Sequence, residues 1–568
     1  MQYIWNISDS APKETIEEFP ELDPIVVQLL YNRGLKTQEK IDEFFNSDYS
    51  QDIHDPYLFK GMSQAVARLY QAIKNRELVT VYGDYDADGV CAATILNIVL
   101  TKLGAKVNAY LPHREREGYG LNSKAVEEIA GTGAKVIVTC DCGISNIEEI
   151  ALARAKGIDV IITDHHSLPE RLPEAYAIIH PQVPGETYPF KFLAGGGVAF
   201  KLAQALLLSP ECVMTMSEKE GQEKWLLDLV SISTVADIVP LLGENRTLLK
   251  YGLIVLKKTR NKGLQQMIDQ AGLDPDKMDP RAISFSIAPR INAAGRMDHA
   301  NLAYYLLREE DEVKAAQLAR DLNQSNIDRQ NLTETVIKEA QALAIDFTDS
   351  LLAFYKPSWP AGLTGLVASR LMKIYNRPCL ILTDNNGNIV ASGRSLKGFN
   401  VTKVLQESKD LLIKFGGHPQ ACGFSVTKEN MPIIINKLKE AARAYLNQDD
   451  LRPTMDADLE IDFSSISWEL VDALEQFKPF GMANEEPVFV SRGLKVAGAR
   501  KVGSDGKHWK LDLNKDSKTF GAIAFNLAGT DLKLDDIIDI AYNLSINEWN
   551  GNREIQIKIK DIHPVRNP

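Results

Sequence analysis

The sequence lacks several features that define other classes of protein. No apolar run reaches the eighteen or so residues of a membrane span, and the N-terminal segment has neither the basic nor the apolar stretch of a signal peptide. The six cysteines include no CxxC pair, which argues against a zinc ribbon and against a disulfide framework. There are no internal repeats or low-complexity tracts. We therefore expect a cytoplasmic protein with no membrane partner.

The composition is that of a folded globular protein with several domains. Hydrophobic residues make up 45% and charged residues 25% of the 568 residues, and this length suggests about four domains. The 76 acidic residues outnumber the 64 Lys and Arg residues, so the net charge is -12. This charge argues weakly against a surface coated in basic residues, although a locally basic face could still bind nucleic acid.

An alternation of strands and helices begins near residue 77. The predicted strands are continuous apolar runs, which indicates a parallel sheet buried on both faces. These strands are Leu78–Tyr82, Lys106–Leu111, Lys135–Cys140, Ile158–Thr163 and Ala177–His180. Amphipathic, helix-like stretches lie between them. The sequence therefore predicts an α/β domain built on a parallel sheet.

The other segments predict further domains around this one. Residues 1–50 are expected to be a polar helical segment, and 51–300 to hold the parallel-sheet domain. The stretch 301–345 is polar and free of Pro and Gly, which predicts a long connecting helix. A second, smaller α/β domain is expected over 346–450. Residues 454–568 follow a polar linker and carry short segments of alternating apolar and polar residues, which predict a small all-β module.

Acidic and histidine residues follow the carboxyl ends of the predicted strands, where open parallel sheets bind ligands. Each alone has an ordinary explanation: an Asx turn at a helix N-cap, a pair of structural histidines, or a paired buried acid. Three carboxylates within five residues repel one another, however, and oxygen donors suit hard divalent cations. The joint pattern predicts a centre for two divalent cations, in which His favours Mn²⁺ over Mg²⁺. Its candidate residues are Asp84, Asp86, Asp88, Asp141, His165, His166 and Asp237.

The segments that carry these residues resemble the four motifs of the DHH phosphoesterase superfamily. Further segments, in order along nearly the whole chain, resemble the RecJ family of bacterial single-strand-specific 5′→3′ DNA exonucleases. These segments are RINAAGR (290–296), GLTGLVASR (362–370), SGRS (392–395), GGHPQACG (416–423) and FKPFGMANEEPVF (477–489). The resemblance implies a parallel-sheet DHH domain, a long connecting helix, a smaller α/β DHHA1 domain and a C-terminal OB-fold.

The resemblance also implies roles for the acidic residues. The positions that match the family's metal ligands are Asp86, Asp88, Asp141, His165 and Asp237. Of these, Asp141 matches the carboxylate that bridges the two metals, and Asp84 and His166 match motif positions of less specific role. Related pyrophosphatases have a His where this chain has Tyr82. We therefore expect Asp84 or a water molecule to complete the shell of the first metal.

Candidates for holding the 5′ phosphate of DNA come from the same resemblance, since Arg offers phosphate a fork of donors. They are Arg114, Arg296, Ser392, Arg394 and His418. Taken alone, each Arg would be an ordinary solvated side chain, and the glycine-rich segment around His418 a tight turn between a strand and a helix. Arg116 is an alternative to Arg114, because the two are near neighbours.

The C-terminal module has the most visible basic stretch. From Arg492 to Lys518 there are eight Lys or Arg residues and three Asp residues. Basic residues interleaved with aromatic ones suit single strands, which present phosphates and exposed base faces. The candidate DNA contacts are Lys501, Lys507, Trp509 and Lys510. The alternative is an ordinary barrel with a solvated lysine face and a Trp in its core.

The expected function is metal-dependent 5′→3′ hydrolysis of single-stranded DNA to 5′-mononucleotides, in DNA recombination and repair. No Ser or Cys nucleophile pattern is present, so water is the expected nucleophile. One alternative is a DHH–DHHA1 phosphodiesterase acting on oligoribonucleotides or cyclic dinucleotides. The other is a non-catalytic DNA-binding scaffold. We expect a monomer whose partner is single-stranded DNA, with a helicase and a single-strand-binding protein as candidate protein partners.

Overall fold

The computed structural model describes residues 3–343, 349–385, 387–549 and 551–565. Its strands are β1 (Ile4–Ile7), β2 (Leu78–Gly83), β3 (Lys106–Tyr110), β4 (Ala134–Cys140), β5 (Asp159–Thr163), β6 (Ala177–Ile179), β7 (Leu352–Tyr355), β8 (Cys379–Asn385), β9 (Asn388–Arg394), β10 (Lys414–His418), β11 (Ala421–Val426), β12 (Thr454–Ala457), β13 (Leu459–Glu460), β14 (Phe489–Val502), β15 (His508–Lys515), β16 (Lys518–Ala524), β17 (Ile537–Trp549) and β18 (Asn552–Pro564).

Its helices are α1 (Lys13–Glu18), α2 (Pro24–Asn32), α3 (Gln38–Phe45), α4 (Met62–Asn75), α5 (Ala87–Lys102), α6 (Ser123–Gly131), α7 (Ile147–Ala155), α8 (Gly195–Leu208), α9 (Met216–Trp225), α10 (Leu227–Ala236), α11 (Gly243–Leu256), α12 (Lys262–Gln270), α13 (Pro280–Ala282), α14 (Ala288–Met297), α15 (Asn301–Arg308), α16 (Glu312–Leu343), α17 (Thr364–Tyr375), α18 (Val401–Glu407), α19 (Met431–Tyr445) and α20 (Trp468–Gln476). None of the described helices combines the length and the apolar character that crossing a bilayer requires.

The chain divides into two compact units. One comprises Ser47–Leu446, and the other joins Met1–Asn46 to Asn447–Pro568. The N-terminal residues are therefore part of the C-terminal unit, whereas the sequence suggested a separate helical segment. They also include a strand, because β1 pairs in parallel with β12. The indole Nε1 of Trp5 in β1 donates a hydrogen bond to Asp561 at 2.9 Å.

The larger unit contains a five-stranded parallel sheet in the order β3-β2-β4-β5-β6. Side chains of the central strands alternate between two hydrophobic clusters. Val79 and Val138 belong to a cluster with α5 and α8, whereas Tyr82 and Ile137 belong to one with α6 and α7. Because helices cover both faces, each strand needs apolar residues on both sides, and this explains the continuous apolar runs of the sequence. The predicted parallel sheet is confirmed.

A second sheet in the same unit has the order β10-β11-β9-β8-β7. The long helix α16 precedes it, but α16 begins at Glu312 instead of near residue 301. The shorter helix α15 comes first, and Glu309 is extended after it. The Asp311 carboxylate accepts the backbone N–H of Lys314 at 2.9 Å, as an N-cap residue does, and so starts a new helix. The predicted end of the connecting helix, at residues 344 and 345, lies outside the described residues.

The C-terminal unit contains a β-barrel formed by strands β14 to β18. Strand β14 pairs with both β15 and β17, while β16 pairs with β18, so the five strands close on themselves. Alternate residues of β15, such as Leu511 and Leu513, are buried, and Lys510 and Asp512 are exposed. This alternation is the pattern that predicted an all-β module, and the closed barrel confirms the OB-like fold.

Candidate functional site

The seven acidic and histidine residues predicted from the sequence meet at the carboxyl edge of the parallel sheet. Their potential ligand atoms form three overlapping groups, and within each group the atoms lie within 4.8 Å of one another. The groups are Asp84 with Asp86 and Asp141, Asp88 with His165 and Asp237, and Asp141 with His165 and His166. Asp141 and His165 each occur in two of them, so Asp141 lies beside both the Asp84–Asp86 pair and the two histidines.

Three carboxylates, those of Asp84, Asp86 and Asp88, follow β2, and the start of α5 sets the positions of the last two. Asp86 is the N-cap residue, and its Oδ1 accepts the N–H groups of Asp88 and Gly89 at 2.9 and 3.1 Å. The cap uses Oδ1, so Oδ2 is available to a cation. A Cβ atom on Gly89 would lie 2.6 Å from the backbone nitrogen of Asp84, which explains the glycine. The helix-cap interpretation of Asp86 is confirmed, and its role as a metal ligand stays a prediction with which the free Oδ2 is compatible.

Asp88 is held by donors from distant parts of the chain. Its carboxylate accepts the N–H groups of Gly195 and Gly196 at 2.7 Å and the hydroxyl of Ser233 at 2.5 Å. The two glycine N–H groups belong to the start of α8, where backbone donors point outward. A Cβ atom on Gly195 would lie 2.5 Å from that of Asp141. Sequence reasoning missed these three donors, although the run of three glycines at a helix start was a usable signal.

The two histidines are oriented by Asp164, which precedes them. Its Oδ1 accepts the N–H groups of both histidines and also the Nδ1 of His166 at 2.8 Å. The Nε2 of His165 lies 3.0 Å from Oδ1 of Asp141. The hydroxyl of Tyr119 lies 2.9 Å from Nδ1 of His166, and nothing in the sequence indicated this contact. Asp164 therefore orients the imidazole of His166 and holds the backbone of both histidines at the centre.

Burial and mutual repulsion raise the pKa values of carboxylates in the centre. Burial and the charge of Asp86 raise the pKa of Asp84, and burial and the charge of Asp88 raise that of Asp141. The same two causes as for Asp141 raise the pKa of Asp237 to about 8. Burial and Asp86 raise the pKa of Asp88 to about 6. Bound cations would remove this repulsion and return all these groups to their ionised form.

The histidines have opposite shifts. Burial and the neighbouring His166 lower the pKa of His165 to about 4, so this imidazole is neutral and suited to metal binding. Although burial opposes it, the hydrogen bond and charge of Asp164 raise the pKa of His166 to about 9. Burial would raise the pKa of Asp164, but the hydrogen bond and charge of His166 lower it to about 2. The Asp164–His166 pair is therefore ionised at neutral pH.

The donor set fits divalent cations. Oδ1 of Asp84 is buried and, within the part of the chain that the structure describes, has no hydrogen-bond partner. A buried carboxylate oxygen without a donor is costly unless a cation binds it. Tyr82 does not replace the expected histidine ligand, because its hydroxyl donates to the carbonyl of Gly120 at 2.8 Å. Asp84 is thus the side chain in position to complete that shell.

Two of the predicted phosphate-binding arginines flank the first carboxylate loop. The guanidinium of Arg114 lies over the ring of Tyr85, 4.7 Å from its centre. A Cβ atom on Gly295 would lie 2.7 Å from the Tyr85 carbonyl oxygen, so the adjacent Arg296 is also beside this loop. Arg116, the alternative to Arg114, is exposed. The structure therefore favours Arg114 over Arg116 as the phosphate-binding candidate.

The second sheet contributes Ser392 and Arg394. The hydroxyl of Ser392 lies 2.9 Å from that of Thr364 at the start of α17. Burial and the charge of Arg114 lower the pKa of Arg394. Burial, then the charges of Arg114 and Arg329, lower the pKa of Arg296. The guanidinium groups are thus close enough to repel one another, which an anion between them would relieve. Arg329, on α16, is a member that sequence reasoning missed.

His418 lies in a β-hairpin, not in a turn between a strand and a helix. Strand β10 pairs with β11 so that His418 faces Ala421, and Ala421 faces Arg394 of β9. The side chain of His418 is exposed. Paired residues point to the same face of a sheet, and two strand spacings separate His418 from Arg394 by about 10 Å. His418 is therefore on the face of Arg394 without belonging to the arginine group.

The barrel residues only partly match the prediction. Lys501, Lys507 and Lys510 are exposed, as a DNA-binding face requires. Trp509 is 7% exposed, and its Nε1 donates to the carbonyl of Thr530 at 3.2 Å. Its ring is part of the barrel core, so the prediction that it contacts DNA bases is wrong. Phe525, by contrast, is exposed, and it packs edge-on against His508 with 5.3 Å between the ring centres.

Three family models match the chain, and they follow the order of the domains. Residues 78–234 match the DHH family N-terminal domain, 348–444 match the DHHA1 domain, and 457–561 match the RecJ OB domain. The single-stranded-DNA-specific exonuclease RecJ of Bacillus subtilis is 37% identical over 98% of this chain and 70% of the relative.

Solved structures agree with these matches. The structure of RecJ from Thermus thermophilus in complex with Mn²⁺ superimposes with a TM-score of 0.82 at 27% identity, over 100% of this chain and 80% of that one. A structure of exonuclease RecJ bound to manganese has a TM-score of 0.60 at 32% identity, over 69% of this chain and 97% of that one. The chain therefore belongs to the RecJ family of the DHH superfamily.

Proposed function

We propose that this chain hydrolyses single-stranded DNA from its 5′ end and releases 5′-mononucleotides, in DNA recombination and repair. The observation that carries the proposal is that an acidic metal-type centre and a group of arginines lie side by side around one loop. A terminal nucleotide has the matching chemistry, because its 5′ phosphate is next to the phosphodiester that must be cut. RecJ relatives are named single-stranded-DNA-specific exonucleases, and membership of the family makes this chain an exonuclease of that class.

The centre binds divalent cations in this proposal, as the solved relatives bind Mn²⁺ or Mg²⁺. Asp84, Asp86 and Asp141 would hold one cation. Asp88, His165 and Asp237 would hold the other, and Asp141 would bridge the two. The neutral imidazole favours Mn²⁺ over Mg²⁺. When bound, such cations lower the pKa of a water molecule and stabilise the charge that develops on a leaving oxygen.

The remaining side chains bind and orient the substrate. Arg114, Arg296 and Arg394 would bind the terminal phosphate, with Ser392 adding a hydroxyl donor. A terminal phosphate carries more negative charge than an internal one, so this group prefers an end to the middle of a strand. The direction of degradation then follows from the arginines, since the metal centre meets the same phosphodiester geometry from either direction.

Two other functions fit the structure less well. A DHH–DHHA1 phosphodiesterase acting on oligoribonucleotides or cyclic dinucleotides would have no use for a barrel whose surface carries the exposed side chains of Lys501, Lys507 and Lys510. A non-catalytic scaffold would have no need of a complete ligand set, and here all seven acidic and histidine residues converge. A helicase and a single-strand-binding protein as partners, a monomeric state and a cytoplasmic location stay predictions.

One digestion experiment tests the proposal. Oligonucleotides labelled at the 5′ or the 3′ end, single-stranded or duplex, are incubated with the protein in Mn²⁺ or in chelator. The expected result is early release of a labelled mononucleotide from the 5′-labelled single strand, in Mn²⁺ alone. Earlier release of label from the 3′ end would contradict the direction, and equal degradation of the duplex would contradict the strand specificity.

A further inference from the structure

Two exposed apolar side chains lie beside the metal centre without serving the hydrophobic core. Phe192 is 54% and Ile238 is 63% exposed. Ile238 directly follows Asp237, a residue of the centre. Phe192 lies three residues before Gly195, whose N–H binds Asp88, and three Cα–Cα steps span at most about 11 Å. Both side chains are therefore close to the reacting part of a bound strand.

A buried asparagine joins the two loops that carry these side chains. The Nδ2 of Asn245 donates to the Phe192 carbonyl at 2.6 Å and to the Pro240 carbonyl at 3.0 Å. The ring of Phe192 packs edge-on against Phe190 at 5.9 Å, and Phe190 packs against the main hydrophobic cluster. Phe192 and Ile238 thus belong to adjoining loops with a rigid support beneath them.

The backbone of Ile238 is strained. Its φ is 59°, in the left-handed region that β-branched residues avoid and that Gly or Asn adopts more readily. Its exposed side chain gains little from burial. Neither local conformation nor packing therefore accounts for an isoleucine here. Strained residues of this kind cluster where a side chain meets a ligand.

The position of this pair relative to the arginines indicates which part of the strand it meets. The arginines flank Tyr85, between Asp84 and Asp86, whereas Phe192 and Ile238 adjoin the groups around Asp237 and Asp88. With the 5′ phosphate on the arginines and the scissile bond at the centre, the second nucleotide leaves the centre beside this pair. We propose that Phe192 and Ile238 form a stacking site for the base of the nucleotide on the 3′ side of the cleaved bond. The inference rests on the proposed function and adds a specificity determinant to it.

Abasic substrates test this site on the full-length protein. A 5′-phosphorylated strand with a tetrahydrofuran abasic residue at position 2 should have a kcat/KM about tenfold lower than the intact strand, which is typical of one lost base–aromatic contact. The same lesion at position 1 should have a smaller effect. Phe192→Ala should lose about as much on the intact strand and nothing further on the position-2 abasic strand, while Phe192→Tyr should retain most activity.

Three further measurements separate stacking from damage to the centre. Ile238→Asn should weaken cleavage of the intact strand in the same way, with an unchanged or higher melting temperature because the strain is relieved. Leu208→Ala, at the far end of α8 and 49% exposed, is the matched control and should behave as wild type. The rise in melting temperature that Mn²⁺ causes should be the same in all the variants as in the wild type, because none of them removes a side chain of the metal centre.

The outcomes distinguish this site from the proposed function. If the wild type degrades DNA but ignores the abasic residue at position 2, the stacking site is wrong and the proposed function stands. The same conclusion follows if Phe192→Ala and the lesion have additive effects, or if the variants lose the rise in melting temperature that Mn²⁺ causes. If Mn²⁺ stabilises the wild type but the protein does not degrade single-stranded DNA, the proposed function and the stacking site are both overturned.

Discussion

Asp141→Asn should abolish hydrolysis and at the same time stabilise the metal-free protein. The substitution keeps an oxygen for the contact with Nε2 of His165 at 3.0 Å, so the local structure should persist. It removes one negative charge from a group in which the ligand atoms of Asp84, Asp86 and Asp141 lie within 4.8 Å. A residue that binds catalytic cations and whose loss stabilises the fold is a combination that a purely structural acid would not show.

The magnitude follows from Coulomb's law. At the 4.8 Å limit of that group and an effective dielectric constant of about 20, two carboxylates repel each other by about 3 kcal/mol. The crowded acids relieve part of this by sharing protons, so we expect the free energy of unfolding to rise by about 1–3 kcal/mol. This corresponds to a melting temperature a few degrees higher.

The effect should depend on pH with a definite sign. Burial raises the pKa of Asp141 in the fold, and together with nearby acids it raises that of Asp237 to about 8. An acid with a raised pKa in the fold lowers stability as the pH rises from its unfolded pKa, about 4, to the folded one. The advantage of Asp141→Asn over the wild type should therefore be small near pH 4–5 and largest near pH 8.

The assay combines melting curves in chelator with strand degradation in Mn²⁺. Mn²⁺ should raise the melting temperature of the wild type more than that of the variant. Asp269→Asn, an exposed acid on α12, is the control and should change neither property. If Asp141→Asn melts at or below the wild-type temperature at pH 8 without metal, the electrostatic reasoning is refuted. If it keeps more than about a tenth of the wild-type kcat/KM, a difference of about 1.4 kcal/mol, Asp141 does not bridge the cations.

Three further predictions concern the arginines, the two units and the Asp88 cradle. Arg394→Ala should reduce kcat/KM more on a 5′-phosphorylated strand than on a 5′-hydroxyl strand, with Arg116→Ala as the control; equal losses on both would make Arg394 a general backbone contact. Residues 47–446 alone should retain hydrolysis of short strands. They should bind long strands more weakly and with a smaller salt dependence, because the exposed lysines of the barrel are absent. An unchanged salt slope in a binding titration would contradict DNA binding by these lysines. Ser233→Ala should raise the pKa of Asp88 further above 6, because the serine hydroxyl stabilises the carboxylate. Relative to the wild type, the Mn²⁺ concentration for half-maximal activity should therefore increase more at pH 6.5 than at pH 8.5. An equal increase at both pH values would contradict this role of Ser233.

The bounds of the truncated protein, residues 47–446, depend on the tertiary structure. From the sequence, a cut after the linker near residue 453 would separate the barrel from the catalytic part. In the structure, β1 (Ile4–Ile7) pairs with β12 (Thr454–Ala457), so such a cut would leave the N-terminal strand without its partner. The two strands are about 450 residues apart, and no local pattern could reveal their pairing. A sound truncation therefore removes both parts of the C-terminal unit together.

Other errors have the same origin in long-range packing. The alternation of β15 shows that Trp509 and Lys510 lie on opposite faces, but it does not show which face is inside. Barrel closure through β14 and β17 decides this and places Trp509 in the core. Likewise, a polar stretch free of Pro and Gly predicts helix over 301–345, while the cap at Asp311 divides it.

The sequence by itself determined the parallel sheet and the acidic residues of the centre, because both depend on local patterns. Apolar runs mark strands, and the residues just after them must gather at one edge when the strands are parallel. The tertiary structure alone decided how these acids are held. The cradle of Asp88 uses donors 107 and 145 residues away. The arginines that repel one another come from the segment after β3, from α14 and α16, and from β9 of the second sheet. Hydrogen bonds and charges act through space, so partners far apart in the chain can be identified only once the chain has folded.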